Sequence, residues 1–144
     1  MRYTILIAIF TLLFIGCKKD KFTTAPQLEY KSVNTTVLNQ GQILRFTLGF
    51  TDEEGDVDSI FIREVNPKCS LNIFKDSFLL PPFPTTKKIN GEIFVTYGYR
   101  VDGIPPIQEP LCSTNDTCYF QFVLKDSKQN KSDTVSSETI VIIK

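Results

Sequence analysis

Cys118-Tyr119-Phe120-Gln121-Phe122-Val123-Leu124-Lys125 is the stretch whose reading decides the fold. Cys118, Phe120, Phe122 and Leu124 recur at every second position, with Tyr119, Gln121, Val123 and Lys125 between them. Only an extended backbone sorts residues by a period of two, so the segment is a strand with one buried face. The same texture spreads outward. Ile43, Leu44, Phe46, Leu48 and Phe50 line one face of a second strand, separated by Arg45, Thr47 and Gly49. Ile60-Phe61-Ile62 with Val65 forms a short, mostly buried strand. Ile93, Val95 and Tyr97 alternate with Phe94, Thr96 and Gly98, in a strand beginning after the turn signal Asn90-Gly91.

Leu28 to Val33 opens the series and Ile140 to Ile143 closes it. The connections are rich in turn residues: Asp52 to Asp56, Pro81-Pro82 with Pro84, Ile104-Pro105-Pro106 and Asp126 to Asp133. Beyond the N-terminal apolar run no segment keeps a helical period. About seven short strands predict an all-β, two-sheet antiparallel sandwich over residues 27–144. The stretch from Asn66 to Asn90 is poorly patterned and holds either edge strands or a functional loop. Within it, Leu79-Leu80-Pro81-Pro82-Phe83-Pro84 is proline-locked and excluded from any internal strand. It is either a docking loop or a cap on the core.

Phe46-Thr47-Leu48-Gly49-Phe50-Thr51-Asp52-Glu53-Glu54-Gly55-Asp56-Val57 resembles the strand and loop of Ig-like, cadherin-like domains in uncharacterised Bacteroidetes lipoproteins. Phe120 to Leu124, followed by Lys125-Asp126-Ser127-Lys128-Gln129-Asn130-Lys131-Ser132, resembles the strand and turn near the end of those domains. The resemblance implies an Ig-like sandwich and carries no established activity.

The N-terminus agrees in kind. Arg2 is followed by an apolar run from Tyr3 to Ile15, of signal-peptide length and shorter than the ~20 residues of a spanning helix. Leu13-Phe14-Ile15-Gly16-Cys17 resembles a bacterial lipobox, with Phe14 where leucine is commonest. The resemblance implies a signal peptide over 1–16, lipidation of Cys17, and a tether over 17–26 to a membrane of the cell envelope, the outer membrane in such bacteria. An uncleaved anchor helix and an ordinary signal peptide are the alternatives. Removing the first 16 of 144 residues leaves 128, with 15 basic and 16 acidic side chains. Such a balance gives no reason to expect nucleic acid as a partner.

Three cysteines remain besides Cys17, so at most one disulfide forms within the chain. Cys118 lies on an apolar strand face and is left as a buried thiol, which pairs Cys69 with Cys112.

No histidine occurs in the chain. That removes histidine-based acid–base catalysis, histidine triads and imidazole metal sites. A small two-carboxylate glycosidase remains formally open, but the expectation is that the chain is not an enzyme. The sharpest local feature is acidic: Asp52, Glu54, Asp56 and Asp58 alternate around Gly55. Closely spaced carboxylates in a bent loop suit Ca²⁺, which takes six to eight oxygens. The loop is not an EF-hand, since its sixth position is Val57 and its twelfth Arg63. In an Ig-like sandwich the loops after the second and sixth strands emerge at one end, bringing Asp126 and Asn130 near Asp52 and Asp56. Ordinary turn chemistry, in which Asp, Gly and Asn stabilise bends and keep a loop soluble, explains the same residues more simply.

Tyr97, Tyr99, Tyr119, Phe83 and Phe94 are candidates for an aromatic binding face or for core. Asp58-Ser59-Ile60 and Asp133-Thr134-Val135 look like acceptor triplets for O-glycans on exported Bacteroidetes proteins. The expected function is a membrane-anchored, non-enzymatic binding or adhesion module recognising a protein or glycan. The alternative is a structural accessory subunit of a larger envelope complex.

Overall fold

The computed structural model describes residues 23–83 and 87–144. The signal peptide, Cys17, the tether up to residue 22 and Pro84 lie outside the described residues. Within them the backbone forms nine strands: β1 (Gln27–Val33), β2 (Val37–Leu38), β3 (Ile43–Asp52), β4 (Val57–Val65), β5 (Lys75–Leu79), β6 (Ile89–Gly98), β7 (Asp116–Asp126), β8 (Val135–Ser136) and β9 (Ile140–Ile142). The count exceeds the expected seven mainly because β2 and β8 are two-residue pairings.

Two sheets face each other. One runs β1-β3-β6; the other runs β2-β9-β7-β4-β5, with β8 also pairing β7. All pairings between these strands are antiparallel except β2 with β9, which is parallel and departs from the purely antiparallel expectation.

Parity of side chains makes the layers. Leu44, Phe46, Leu48 and Phe50 of β3 are buried against Cys118, Phe120, Phe122 and Leu124 of β7, with Ile93, Val95 and Tyr97 of β6 completing the inner surface. Phe46 crosses between the sheets, its ring 5.0 Å from both Phe120 and Phe122. Ile43 has the opposite parity and is only half-buried, so it does not share the face assigned to it from sequence.

Among its described residues the poorly patterned stretch contains the edge strand β5, paired with β4 from Ser59–Leu79 to Arg63–Lys75, and it ends in the start of β6. The Leu79–Phe83 segment follows it, with the Leu80 N–H donating to the Asp58 carbonyl and Phe83 packing on Phe50 at 5.6 Å.

Asn90-Gly91 is not a turn. Both residues lie inside β6, and Gly91 pairs with Phe50. A Cβ there would stand 3.0 Å from the Phe50 ring, so this glycine admits a close ring contact. Lys88, just ahead of β6, has a positive φ of 63°.

The register also sets which loops share an end. Gln27 of β1 pairs with Thr51, and Ile89 of β6 with Asp52. The β3–β4 and β7–β8 loops join them at this acidic end. Ile43 pairs with Gly98 at the other end, where β4 finishes and β7 begins.

Candidate functional site

The even parity that buries β3 does not stop at Phe50. It carries Asp52 inward at the end of the strand, where the residue is fully buried. Gly55, at φ 74°, bends the loop so that backbone N–H groups turn back on this carboxylate. Asp52 Oδ2 accepts the N–H of Gly55 at 2.6 Å and of Asp56 at 3.0 Å. Burial raises the Asp52 carboxyl above its usual range, the charges of Asp56 and Asp126 raise it further, and the two N–H donors oppose the shift.

β7 repeats the device. Asp126 is buried at the end of its core-facing row. Its Oδ1 accepts the Asn130 N–H at 2.8 Å, and its Oδ2 accepts the Asn130 side-chain amide at 2.7 Å. The two loops then join: Ser127 donates its N–H to the Asp56 carbonyl at 2.9 Å and its hydroxyl to Asp56 Oδ2 at 2.7 Å. Lys128 Nζ lies 3.8 Å from the same oxygen.

Of the six residues proposed as ligands, three converge. One oxygen each from Asp52, Glu54 and Asp56 lie within 4.8 Å of one another. Asp126 and Asn130 stand at the same end but are bonded to each other. Asp58 belongs to β4 and is not part of the group.

The opposite end is braced covalently. Cys69 and Cys112 form a disulfide with their Cα atoms 6.0 Å apart, and Cys118 is a buried free thiol. Beneath the bridge, the Asn72 amide donates to Glu64 Oε1 at 3.3 Å and to Asp116 Oδ2, while its oxygen accepts the Leu111 N–H at 3.3 Å. Glu64, Asn72 and Asp116 are all buried. Sequence reading missed them, although parity held the signal: Glu64 continues Ile60 and Ile62, and Asp116 precedes Cys118 by two.

Burial lifts the Glu64 carboxyl above its ordinary 4.5, the charge of Asp116 adding to the rise, and burial likewise lifts the Cys118 thiol. A carboxyl that binds its proton more tightly when folded favours folding below about pH 4.5 and loses that contribution as pH rises through its folded value. Glu64→Gln is therefore expected to melt above the wild type at pH 7, with the difference vanishing near pH 4. Thermal unfolding followed by circular dichroism across that range checks it. A lower melting point for the variant at pH 7 would show that the ionised carboxylate stabilises the fold.

Tyr97 and Tyr99 are core residues, so the five candidate aromatics do not form one exposed face. The Tyr97 hydroxyl donates to Asp76 Oδ2 at 3.2 Å. Phe94 is exposed on the outer side of β6. Of the two triplets, Ser59 is buried in β4 and Thr134 is exposed.

No protein-family model matches the sequence, and no curated protein matches it. Solved structures match at low identity. An alkylpurine DNA glycosylase, AlkC, from Pseudomonas fluorescens is 9% identical with a TM-score of 0.49, over 94% of this chain and 33% of that one. The sporulation control protein Spo0M from Bacillus subtilis is 8% identical with a TM-score of 0.42, over 85% and 51%. A β-glucosidase from Listeria innocua is 11% identical with a TM-score of 0.37, over 83% and 16%. The chain thus spans between a sixth and a half of the length of these proteins. Their activities have no bearing on the functional reading.

Proposed function

We propose that the chain is an exported lipoprotein of the bacterial envelope whose Ig-like sandwich is a non-enzymatic binding module. Residues 1–16 are the signal peptide, Cys17 carries the lipid, and residues 17–26 tether the sandwich to the outer membrane. The Ig-like type is supported by strand order. The first, third and sixth strands share one sheet, the remaining long strands share the other, and the opening edge passes between sheets through β2.

The observation that carries the binding reading is the difference between the two ends. The chain enters at the acidic end, where Gln27 pairs with Thr51. A tether of about ten residues reaches at most about 35 Å, so that end stays near the membrane. At the far end Leu71, Ile73 and Leu111 are exposed by 62%, 72% and 52%, on loops held by the Cys69–Cys112 bridge and Asn72. Aliphatic side chains displayed on rigid loops suit a protein partner, since their ordering cost is already met. Glycan stacking would call for a face of exposed aromatic rings, and Tyr97 and Tyr99 are instead core.

Two measurements test this. Metabolic labelling with a palmitate analogue should mark the wild type and miss Cys17→Ser, which should also leave the membrane fraction. A labelled Cys17→Ser variant, or an unlabelled wild type, would reject the anchor. Envelope proteins cross-linked to the wild type in cells should be lost with Leu71→Asp/Ile73→Asp. Cross-links unaffected by that pair would move the binding face elsewhere. A partner that stays in fixed stoichiometry through purification would favour the accessory-subunit alternative.

A further inference from the structure

Three carboxylate oxygens at the acidic end share one condition. Asp52 Oδ1, Glu54 Oε2 and Asp56 Oδ1 are each buried and each lack a hydrogen-bond partner among the described residues. They belong to the three side chains whose oxygens approach within 4.8 Å. The other oxygens are accounted for where it matters: Asp52 Oδ2 takes two backbone N–H groups, and Asp56 Oδ2 takes Ser127 and faces Lys128. Each aspartate is thus held from one side with its second oxygen left over.

Buried, unpaired carboxylate oxygens are costly, and bringing three carboxylates together adds mutual repulsion. Turn chemistry explains Asp52 Oδ2 and Gly55 but not this convergence. A single capping carboxylate would suffice for the bend, and among the described residues the Glu54 side chain makes no hydrogen bond that shapes it. Lys128 reaches only the outer oxygen of Asp56 and is itself 60% exposed along its side chain. Asp52 carries the argument furthest, because it is fully buried at the end of a core-facing row and its free oxygen has no solvent to turn to.

The geometry points to a Ca²⁺ site formed by Asp52, Glu54 and Asp56, with water completing the coordination. Three carboxylates in an irregular loop suit Ca²⁺, whose coordination is flexible. Mg²⁺ demands near-ideal octahedral geometry and gives up its water reluctantly. Zn²⁺ prefers imidazole and thiolate ligands, and the group contains neither. Because Asp56 also holds Ser127, the ion stiffens the β3–β4 and β7–β8 loops together. The function of the site is to fasten the end of the sandwich at which the chain enters. The reasoning is independent of the lipid anchor and of the far-end loops, and so is its test.

The test uses the full chain expressed for export, purified in detergent and stripped with chelator. CaCl₂ is then titrated by calorimetry and by thermal unfolding, with MgCl₂ and NaCl at matched ionic strength as controls. Saturable binding of about one ion per chain is expected, in the 10⁻⁴–10⁻³ M range of extracellular modules. At ten times the dissociation constant the melting point should rise by about 5 °C. Asp52→Asn keeps an acceptor for the backbone N–H groups, and Glu54→Gln touches no hydrogen bond that shapes the loop. Both should fold and both should lose the response. The absence of heat and of stabilisation at 10 mM CaCl₂, a concentration roughly ten times the weak end of that range, would overturn the site. So would a response that survives in both variants, or one that NaCl reproduces at equal ionic strength.

Discussion

Phe120→Ala is expected to cost about 3–5 kcal/mol, enough to lower the melting point by more than about 10 °C. Phe120 is fully buried in β7, a strand flanked on both sides. Its ring meets Phe46 of the facing sheet at 5.0 Å and Phe74 at 6.4 Å, edge-on to the latter. Truncation leaves a cavity beside Phe46, which is carried by the paired strand β3, and Phe74, whose carbonyl accepts the Glu64 N–H, so the gap cannot close without breaking backbone hydrogen bonds. The cost is therefore the transfer term plus a cavity term. Phe94→Ala is the control. That ring is 61% exposed on the outer side of β6, and its loss should stay within about 0.5 kcal/mol. Urea denaturation of both variants measures the difference. Equal costs would mean that the inward and outward rows have been exchanged.

Loss of the Cys69–Cys112 bridge is the second large effect. The bond spans 43 residues of sequence, and the chain-entropy relation gives about 4 kcal/mol for a loop of that size. The bridge also holds the 66–74 loop against the 107–115 segment, where the Leu111 N–H reaches Asn72. Cys69→Ala/Cys112→Ala should therefore melt well below the wild type and lose its response to reductant. Cys118→Ala should keep that response, because the buried thiol takes no part in the bridge. Hydrogen exchange should show the loosening first at this end of the sandwich. A wild type whose melting point ignores reductant would refute the prediction.

The two effects differ in how visible they were beforehand. Phe120 was legible because a half-buried strand writes its burial into alternate residues, and no partner need be known to read it. The inward rows of β3, β6 and β7 could be drawn the same way. Ile43 was misassigned because it adjoins Leu44 and hydrophobicity alone does not carry parity across neighbours. Asn90-Gly91 misled because glycine serves turns and close contacts alike, and only the Phe50 ring across β6 tells which. Glu64 and Asp116 were passed over because a charged residue in an alternating row looks like the end of the row.

The acidic end shows the same division at finer scale. That carboxylates cluster between Asp52 and Asp58 is a fact of sequence, and so is the absence of histidine that rules out imidazole ligands. That Asp126 and Asn130 close on each other, while Asp52, Glu54 and Asp56 bring their carboxylates within reach of one another, is decided by loop conformations no sequence pattern displays.

The sequence by itself determined that the chain is all-β and which faces of its main strands turn inward, because a period of two is a local property of extended backbone. Only the tertiary structure decided how the strands divide between sheets, which loops share an end, and which carboxylates lose their water. Those depend on pairings between residues far apart in the chain, whose register is set by the two buried faces meeting and not by any one segment.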